Sequence, residues 1–176
     1  MRRFTAVLIV LLLLPAAAVA QDGTTVEIGT GLGAAILTNG GTLTHIGLPG
    51  AGIAGQAPLY ATFIFGGGIM IQPEISLNIL TGEGETVTTL GSAVGIGYAF
   101  AGSGNSPYAL VNGAVQYASA GGSSDSQFGA GGRLGYRLLV NKGFAASFEA
   151  GYRRWFNPDL GEITIAIRLG GILTAK

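Results

Sequence analysis

The chain has 176 residues, of which 32 are glycine and none is cysteine. Without cysteine there is no disulfide, no thiolate metal site and no lipid-modified cysteine. Nine basic residues balance nine acidic ones, so there is no basic excess of the kind that marks nucleic-acid-binding proteins.

The N-terminus has the pattern of a secretory signal peptide. Arg2 and Arg3 precede a leucine-rich apolar run that ends in the small residues Ala-Val-Ala at 18–20. The run is shorter than the ~20 residues that a membrane-spanning helix needs, so a retained anchor is the weaker alternative. We therefore predict a signal peptide over residues 1–20, cleaved after Ala20. Residues 21–176 then form one domain, which carries seven basic and nine acidic side chains.

After this segment the chain alternates apolar residues with polar or small ones, in short stretches separated by glycine and proline. A two-residue period predicts β-strands. Pro73 lies inside the third stretch, where its missing N–H makes that strand the weakest prediction. The predicted strands are Thr25–Leu37, Leu59–Gly66, Ile69–Leu80, Thr86–Phe100, Tyr108–Ala118, Gln127–Val140, Phe144–Trp155 and Glu162–Leu173.

The last strand shows the two-faced pattern most clearly. Ile163, Ile165, Ile167 and Leu169 share one face, and Arg168 lies on the other. A soluble sandwich buries such an apolar face, whereas a membrane barrel turns it toward lipid. Because 48% of the chain is hydrophobic and no later segment has the length of a spanning helix, we favour the barrel.

The connections between the predicted strands alternate in length. Those after the second and sixth strands are tight, and those after the first, third, fifth and seventh are longer. The longest is a glycine-rich connection that runs through His45 to Ala57. Bacterial outer-membrane barrels combine short periplasmic turns with longer outer loops. The pattern therefore predicts that both termini face the periplasm.

Aromatic residues on the predicted outward face fall into two groups, one at each end of the strands. Aromatic belts at the two interfaces are expected of a membrane barrel but not of a soluble one. The periplasmic group is Phe65, Tyr98, Phe100, Tyr136 and Phe144, and the outer group is Tyr117, Phe128, Tyr152 and Phe156.

Three segments, Pro73-Glu74-Ile75, Pro107-Tyr108-Ala109 and 148–153, resemble the small eight-stranded outer-membrane barrels of the OmpA/OmpX type. The resemblance covers the mature chain and implies an all-β, antiparallel, up-and-down transmembrane barrel in the outer membrane of a Gram-negative bacterium. It also implies a monomer without cofactor that meets outer-membrane lipid and lipopolysaccharide. Periplasmic chaperones and the outer-membrane assembly machinery are the implied partners during biogenesis. The chain departs from such barrels by ending in Leu-Thr-Ala-Lys at 173–176 rather than in an aromatic residue, which concerns the assembly signal.

Residues for catalysis or metal binding are scarce. The only histidine is His45, in a predicted loop, and no serine spacing supports an acyl-transfer site around it. The glycine-rich stretch 50–55 precedes no helix that would bind phosphate. Glu83, Glu85 and Asp125 lie on predicted loops without metal-ligand spacing. We therefore predict no catalytic, cofactor or metal site.

Charged side chains on the inward face gather in the predicted lumen. An eight-stranded barrel is just wide enough inside to be filled by side chains. We therefore predict a structural network of ion pairs, with a selective pore lining as the alternative. The predicted network consists of Glu27, Glu74, Arg133, Arg137, Glu149, Arg153 and Arg168.

The predicted centre of this network is Glu149. Registers centred on the flanking turns place it directly opposite Arg168 on one side and Arg133 on the other, within contact distance. Removing Glu149 is expected to leave the two arginines facing each other, and replacing Glu74 is expected not to relieve their repulsion, because its strand is predicted to lie across the barrel. Outside the lumen, Arg154 faces outward near the outer rim and is a candidate contact for lipopolysaccharide phosphates.

The sequence thus predicts an integral outer-membrane β-barrel, not an enzyme, with a lumen plugged by side chains. Its predicted role is structural or surface-interacting, either membrane-stabilising or adhesive. A narrow pore is the first alternative, and a lipopolysaccharide-modifying enzyme that uses His45 is the second.

Overall fold

The structure is a computed structural model that describes residues 23–38, 42–47, 58–82, 85–156 and 159–174. The predicted signal peptide, the glycine-rich stretch 50–55 and Glu83 lie outside the described residues. In the part of the chain that is described, no helix has the length and apolar character needed to cross a membrane.

The described residues form nine antiparallel strands, and eight of them close into a barrel. The wall follows chain order from β3 to β9, and β1 closes it by pairing with both β3 and β9. The fold is therefore the predicted all-β, eight-stranded, up-and-down antiparallel barrel. The strands are β1 (Thr25–Thr38), β2 (Thr42–Gly47), β3 (Leu59–Ile64), β4 (Ile69–Gly82), β5 (Glu85–Ala99), β6 (Ser106–Ala120), β7 (Ser123–Asn141), β8 (Phe144–Phe156) and β9 (Asp159–Thr174).

One stretch predicted as a loop is a strand. β2, which contains His45, pairs with Gly33–Thr38 of β1, beside the segment Thr25–Thr30 that pairs with β3. β2 and β3 therefore lie one after the other along the same side of β1. The prediction missed β2 because it is only six residues long and lies between glycines, which show no alternation of side chains.

Direct pairing around the wall fixes the stagger of the strands. If one follows directly opposed residues from strand to strand once around the wall, starting at Ile36 on β1, the path returns to β1 at Val26. The two residues are ten positions apart. In an eight-stranded barrel this stagger corresponds to a strand tilt of about 40°. The circuit passes through Ile36, Ile163, Tyr152, Gly132, Val111, Ile96, Ile71, Phe63 and Val26.

Large apolar side chains cover the outside of the wall, and four glutamates and four arginines are buried inside it. Val111 and Leu134 are 69% and 68% exposed, whereas Glu74 and Arg137 are each 2% exposed. The exposure of these side chains agrees with the predicted inward and outward faces. Val26 and Phe63 occupy positions on the outward face in the alternation, yet both are buried and pack against each other.

We call the end of the barrel that carries the Gly121–Gly122 turn the outer end, and the end that carries Thr25 and Thr174 the inner end. Gly121 and Gly122 have φ values of 54° and 81°, the positive values that a two-residue type I′ turn requires. Connections at the outer end are shorter than predicted, because β6 and β7 pair up to Ala120 and Ser123.

Pro73 is accommodated within β4. It lies opposite Val94 of β5 in an uninterrupted ladder. Toward β3, the described ladder has Tyr60 opposite Glu74 and Phe63 opposite Ile71, with no pair at Pro73 itself. The missing N–H is therefore tolerated by a local gap in one ladder rather than by ending the strand.

Candidate functional site in the barrel lumen

Glu74, Arg133, Glu149 and Arg168 form a ring of four ion pairs in the middle of the lumen, here called the central quartet. Arg133 Nη2 lies 2.5 Å from Glu74 Oε1, and its Nη1 lies 3.3 Å from Glu149 Oε2. Arg168 Nη2 lies 2.9 Å from Glu74 Oε1, and its Nε lies 2.5 Å from Glu149 Oε2. All four side chains are buried. Each arginine therefore bridges both carboxylates, and each carboxylate bridges both arginines.

Glu149 contacts Arg133 and Arg168, but the predicted registers that led to this pairing are wrong. Glu149 lies directly opposite Ala166 on β9 and Gly135 on β7. Both registers differ from the predicted ones by two residues. The contacts form diagonally, because arginine side chains are long enough to reach a neighbour beyond the one directly opposite.

The register errors have local causes. β9 begins at Asp159, opposite Phe156, so the turn between β8 and β9 is shorter than the sequence pattern indicates. Between β7 and β8 the register shifts between Leu139 and Asn141, which adds a residue to one strand. Alternation of polar and apolar residues reveals neither feature, since a shift of two residues preserves the inward face.

The expectation for Glu74 is wrong. Its strand is remote from β8 and β9 along the wall, yet its carboxylate contacts both Arg133 and Arg168. Glu74 also accepts a hydrogen bond from Gln72 Nε2 at 3.0 Å. In a lumen this narrow, an arginine side chain spans the distance between strands on opposite walls.

A second ion pair lies nearer the inner end. Arg137 Nε donates to Glu27 Oε2 at 2.8 Å, and the Tyr60 hydroxyl donates to Glu27 Oε1 at 2.8 Å. Arg137 also donates from Nη1 to the backbone carbonyls of Ser103 and Gly104 in the β5–β6 turn, the latter at 3.1 Å. The guanidinium thus ties a turn of the inner end to the lumen wall.

A third charged pair lies nearer the outer end. Arg153 Nη1 lies 3.6 Å from Glu162 Oε2, and Arg153 Nε donates to Asn112 Oδ1 at 3.3 Å. The fully buried Trp155 donates from Nε1 to Glu162 Oε2 at 2.9 Å, and the Arg153 guanidinium lies 5.3 Å from its ring centroid. Trp155 also packs against Ala93 and Ala114.

The sequence reasoning missed four lumen residues. Glu162 lies on the polar face of the last predicted strand, and including it gives four buried glutamates for four buried arginines. Trp155 lies two residues after Arg153 on β8 and therefore also faces inward. Tyr60 and Tyr108 escape the prediction because it assigns aromatic residues to outward belts. The Tyr108 hydroxyl donates to Glu149 Oε1 at 2.6 Å, and the Arg168 guanidinium lies 5.0 Å from the Tyr60 ring centroid.

A small cavity lies beside the central quartet. Its volume is about 30 Å³, and Gly31, Asn112, Thr164 and Ala166 line it together with the charged groups. That volume holds about two water molecules. Chemically, the described lumen is a set of matched charges held by hydrogen bonds, rather than a reactive group beside a substrate-sized space.

No group of three or more histidine, cysteine, aspartate or glutamate side chains among the described residues is arranged to hold a metal ion. The backbone of His45 lies opposite Ala35 in the β1–β2 ladder, and its side chain is outside the described set. Asp125 is exposed on β7, and Glu85 begins β5. Of these three side chains only that of Asp125 is described, and it lies outside the lumen charge network.

Arg154 lies outside the lumen, on the outward face of β8. The strand continues to Phe156, so Arg154 is part of the ladder. Its Nε donates to Asp159 Oδ1 at 2.8 Å, and its Nη2 donates to Asp159 Oδ2 at 2.7 Å. Both side chains are exposed to solvent, so the predicted candidate contact is an accessible guanidinium with one anionic partner.

No protein-family model matches the chain, and no curated protein matches it at a significant level. Among solved structures, the fold is similar to Ail, the attachment invasion locus protein of Yersinia pestis. That structure is 13% identical and has a TM-score of 0.48, with 87% of this chain and 100% of that chain covered. A structure of Ail in complex with the heparin analogue sucrose octasulfate is 14% identical, with the same TM-score and coverage. Neisserial surface protein A is 14% identical, with a TM-score of 0.48 and coverage of 84% and 96%. These likenesses concern the fold and assign no role to any residue of this chain.

Proposed function

We propose that this chain is an integral β-barrel protein of the bacterial outer membrane, with a lumen closed by side chains and a structural or surface-interacting role. One observation carries the proposal: apolar side chains cover the outside of the wall, while four glutamates and four arginines are buried inside it. Such a surface is unstable in water and complementary to lipid. We propose no enzymatic activity for the protein. We also propose that it is a monomer, and that periplasmic chaperones and the outer-membrane assembly machinery assemble it.

The positions of the exposed aromatic rings support a membrane orientation. Tyr98 and Phe100 lie near the inner end, where their rings meet edge to face at a centroid distance of 5.4 Å. Phe128 and Phe156 lie near the outer end and are 57% and 60% exposed. Aromatic rings prefer the headgroup level of a bilayer. We infer that the inner end faces the periplasm and that the outer end faces the outside of the cell.

The three charged groups along the lumen support a closed barrel over the alternative of a narrow pore. The Arg137–Glu27 pair, the central quartet and the Arg153–Glu162 pair follow one another from the inner to the outer end. Each of these cations has a carboxylate partner, so the three groups leave no net charge to attract a permeating ion. The cavity of about 30 Å³ beside the central quartet has no room for a hydrated solute.

Conductance measurements test the closed lumen. We expect the purified barrel in planar bilayers to give no stable channel currents, because the ion pairs fill the lumen. Empty bilayers treated with the same detergent are the matched control. Reproducible channel steps that scale with the amount of protein would favour the pore.

Cysteine labelling on whole cells tests the orientation. The chain has no cysteine, so a single substitution provides a unique label site. Ser124→Cys, at the outer end, is expected to react with a membrane-impermeant maleimide on intact cells. Lys142→Cys, in the exposed turn between β7 and β8 at the inner end, is expected to react only after the membrane is opened. The opposite pattern would reverse the proposed orientation.

Lipopolysaccharide is a proposed partner at the outer rim, through Arg154. Because Asp159 holds this guanidinium, Asp159→Asn is expected to free it and increase association with lipopolysaccharide at low salt. Arg154→Ala is expected to reduce the association. Co-sedimentation of the reconstituted barrel with labelled lipopolysaccharide measures both effects. Unchanged association in Arg154→Ala would reject this contact and leave the barrel proposal intact.

A further inference from the structure

A groove crosses the outside of the wall over strands β5, β6 and β7, here called the β6 groove. Its volume is about 420 Å³, within the range of roughly 300–1,000 Å³ that is typical of ligand-binding pockets. These three strands lie in the uninterrupted described range 85–156. The outward-facing residues that line the groove are Ile96, Tyr98, Ala109, Val111, Gly132 and Leu134.

The groove exists because small residues lie beside large ones. Ala109 lies directly opposite Tyr98 on β5 and Leu134 on β7. Gly132 lies directly opposite Val111. Directly opposed residues face the same side of a sheet, so the missing bulk of Ala109 and Gly132 leaves a floor between projecting side chains.

The lining of the groove offers contacts to carbon rather than to charge. Its outward-facing side chains are all uncharged. Arg133 also borders the groove, but its guanidinium contacts Glu74 and Glu149 in the lumen. The polar atom of the outward lining is the hydroxyl of Tyr98, which lies at the end of the groove nearer the inner end of the barrel. A ligand of this groove is therefore apolar, with a polar group at the Tyr98 end.

The groove lies in the inner half of the wall. Tyr98 belongs to the inner aromatic group, whose rings are expected at the headgroup level of a bilayer. From there the groove extends toward the middle of the strands, as far as Val111 on β6 and Gly132 on β7. At this depth the proposed membrane presents the acyl chains of its periplasmic leaflet.

The groove is formed before any ligand enters it. Its floor belongs to two ladders that pair without a register shift. The Tyr98 ring meets the Phe100 ring edge to face at a centroid distance of 5.4 Å, which fixes one wall of the groove. A ligand therefore does not need to order the protein, and this removes part of the entropic cost of binding.

The width of the groove fits one hydrocarbon chain. Tyr98 and Leu134 stand on strands two positions apart, about 10 Å from each other across Ala109. Carbon atoms in contact are separated by about 4 Å. A single chain that runs along the floor therefore touches both walls.

We propose that the β6 groove binds one acyl chain of a phospholipid from the periplasmic leaflet. Contact of successive methylene groups with the floor supplies the affinity, and the Tyr98 hydroxyl donates a hydrogen bond to the ester carbonyl of the same lipid. The inference rests on the proposed function, since only a wall that faces hydrocarbon presents this groove to acyl chains.

A second copy of the chain fits the groove less well. Ile96, Val111 and Leu134 project around the floor, and each is more than half exposed. A neighbouring barrel wall would rest on these side chains and leave the floor without contacts, which forfeits dispersion energy. A flexible acyl chain enters between them and covers the floor.

Native mass spectrometry of the barrel, released from detergent micelles, tests the proposal. The probe is phosphatidylethanolamine with two palmitoyl chains, and we expect the parent barrel to retain one molecule. Gly132→Leu fills the floor and is expected to weaken retention about tenfold, the effect of withdrawing about two methylene groups from contact. A Cβ added at Gly132 has the Leu110 carbonyl oxygen as its nearest neighbour, at 3.4 Å, so the backbone does not need to move.

Gly171→Leu is the matched control. It makes the same change at an exposed glycine on β9, outside the groove, where an added Cβ lies 3.9 Å from the Ile28 carbonyl oxygen. This variant is expected to retain the phospholipid like the parent barrel. The heat-dependent shift of a folded barrel on gels shows whether Gly132→Leu folds, and Ala109→Leu, which fills the floor from β6, replaces it if it does not. A parent barrel without phospholipid, or equal retention by the filled variant and Gly171→Leu, overturns the proposal.

Two further outcomes would assign the groove to another occupant and overturn the proposal. A dimer of the parent barrel that Gly132→Leu dissociates and Gly171→Leu does not would identify a second copy. Displacement of the phospholipid by an equal concentration of lipopolysaccharide would identify a lipid of the other leaflet.

Labelling of Ser124→Cys and Lys142→Cys on cells reports the proposed membrane orientation independently. If the expected labelling pattern holds and no phospholipid is retained, the groove inference fails and the proposed function stands. If the pattern is reversed, the proposed orientation fails, and with it the assignment of the groove to the periplasmic leaflet.

Discussion

Replacing Glu149 by glutamine is expected to destabilise the folded barrel by about 3–5 kcal/mol, the cost of removing one partner from a buried charge pair. Glutamine keeps the shape of the side chain but removes its charge. Glu74 then remains the only carboxylate of the central quartet facing Arg133 and Arg168. The change also weakens the acceptor for the Tyr108 hydroxyl. Urea-induced unfolding in lipid vesicles measures the loss.

Asp125→Asn is the matched control for this prediction. It removes the same formal charge from an exposed residue outside the lumen and is expected to change stability by less than about 0.5 kcal/mol. A further test adds Arg168→Met to Glu149→Gln, which restores the balance of charges around the remaining Arg133–Glu74 pair. The double variant is expected to lose less stability than the sum of the two single variants. A loss below about 1 kcal/mol for Glu149→Gln would show that the quartet contributes little.

The inward and outward faces were predictable from the sequence because a shift of one residue would place every side chain of a strand on the wrong face. Moving β9 by one residue would turn Arg168 to the outside of the wall and Ile167 into the lumen, so alternation alone decides the face. The same alternation gives the number of barrel strands, because each alternating segment ends at a turn and the segments can be counted. This part of the reasoning needs no knowledge of neighbouring strands.

Registers and cross-lumen contacts were not predictable in the same way. A shift of two residues keeps every side chain on its face, so nothing in the pattern distinguishes Ala166 from Arg168 as the residue opposite Glu149. The pairing of Glu74 with Arg133 depends on the lumen diameter and the tilt, which arise only when the wall closes. Contacts between distant strands therefore become apparent only in the folded barrel.

The short strand β2 illustrates a different limit. Its pairing partner on β1 is Gly33–Thr38, a stretch that includes glycine and alanine and also pairs with β9 on its other side. A six-residue strand between glycines has too few side chains to show a period. Long, regular strands such as β7 are evident from their alternation, whereas short ones depend on the partner strand that the fold supplies.

The proposed orientation of the wall toward lipid leads to the second large expected effect. Phe148 and Phe156 lie on the same outward face of β8, and they are 50% and 60% exposed. Phe148 lies near the middle of the strand and Phe156 at its outer end. The cost of a lipid-facing charge depends on its depth in the bilayer.

Phe148→Arg is therefore expected to destabilise the barrel by about 2–4 kcal/mol, and Phe156→Arg by no more than about 1 kcal/mol. Both substitutions replace an exposed phenylalanine by the same cation on one strand, so intrinsic strand propensity and side-chain size cancel in the comparison. The free energy of unfolding in lipid vesicles gives the difference directly. In detergent micelles, where a charge near the strand centre reaches water more easily, the gap is expected to shrink. Equal costs for the two variants in vesicles, or a larger cost at Phe156, would mean that the middle of β8 does not face the hydrocarbon core.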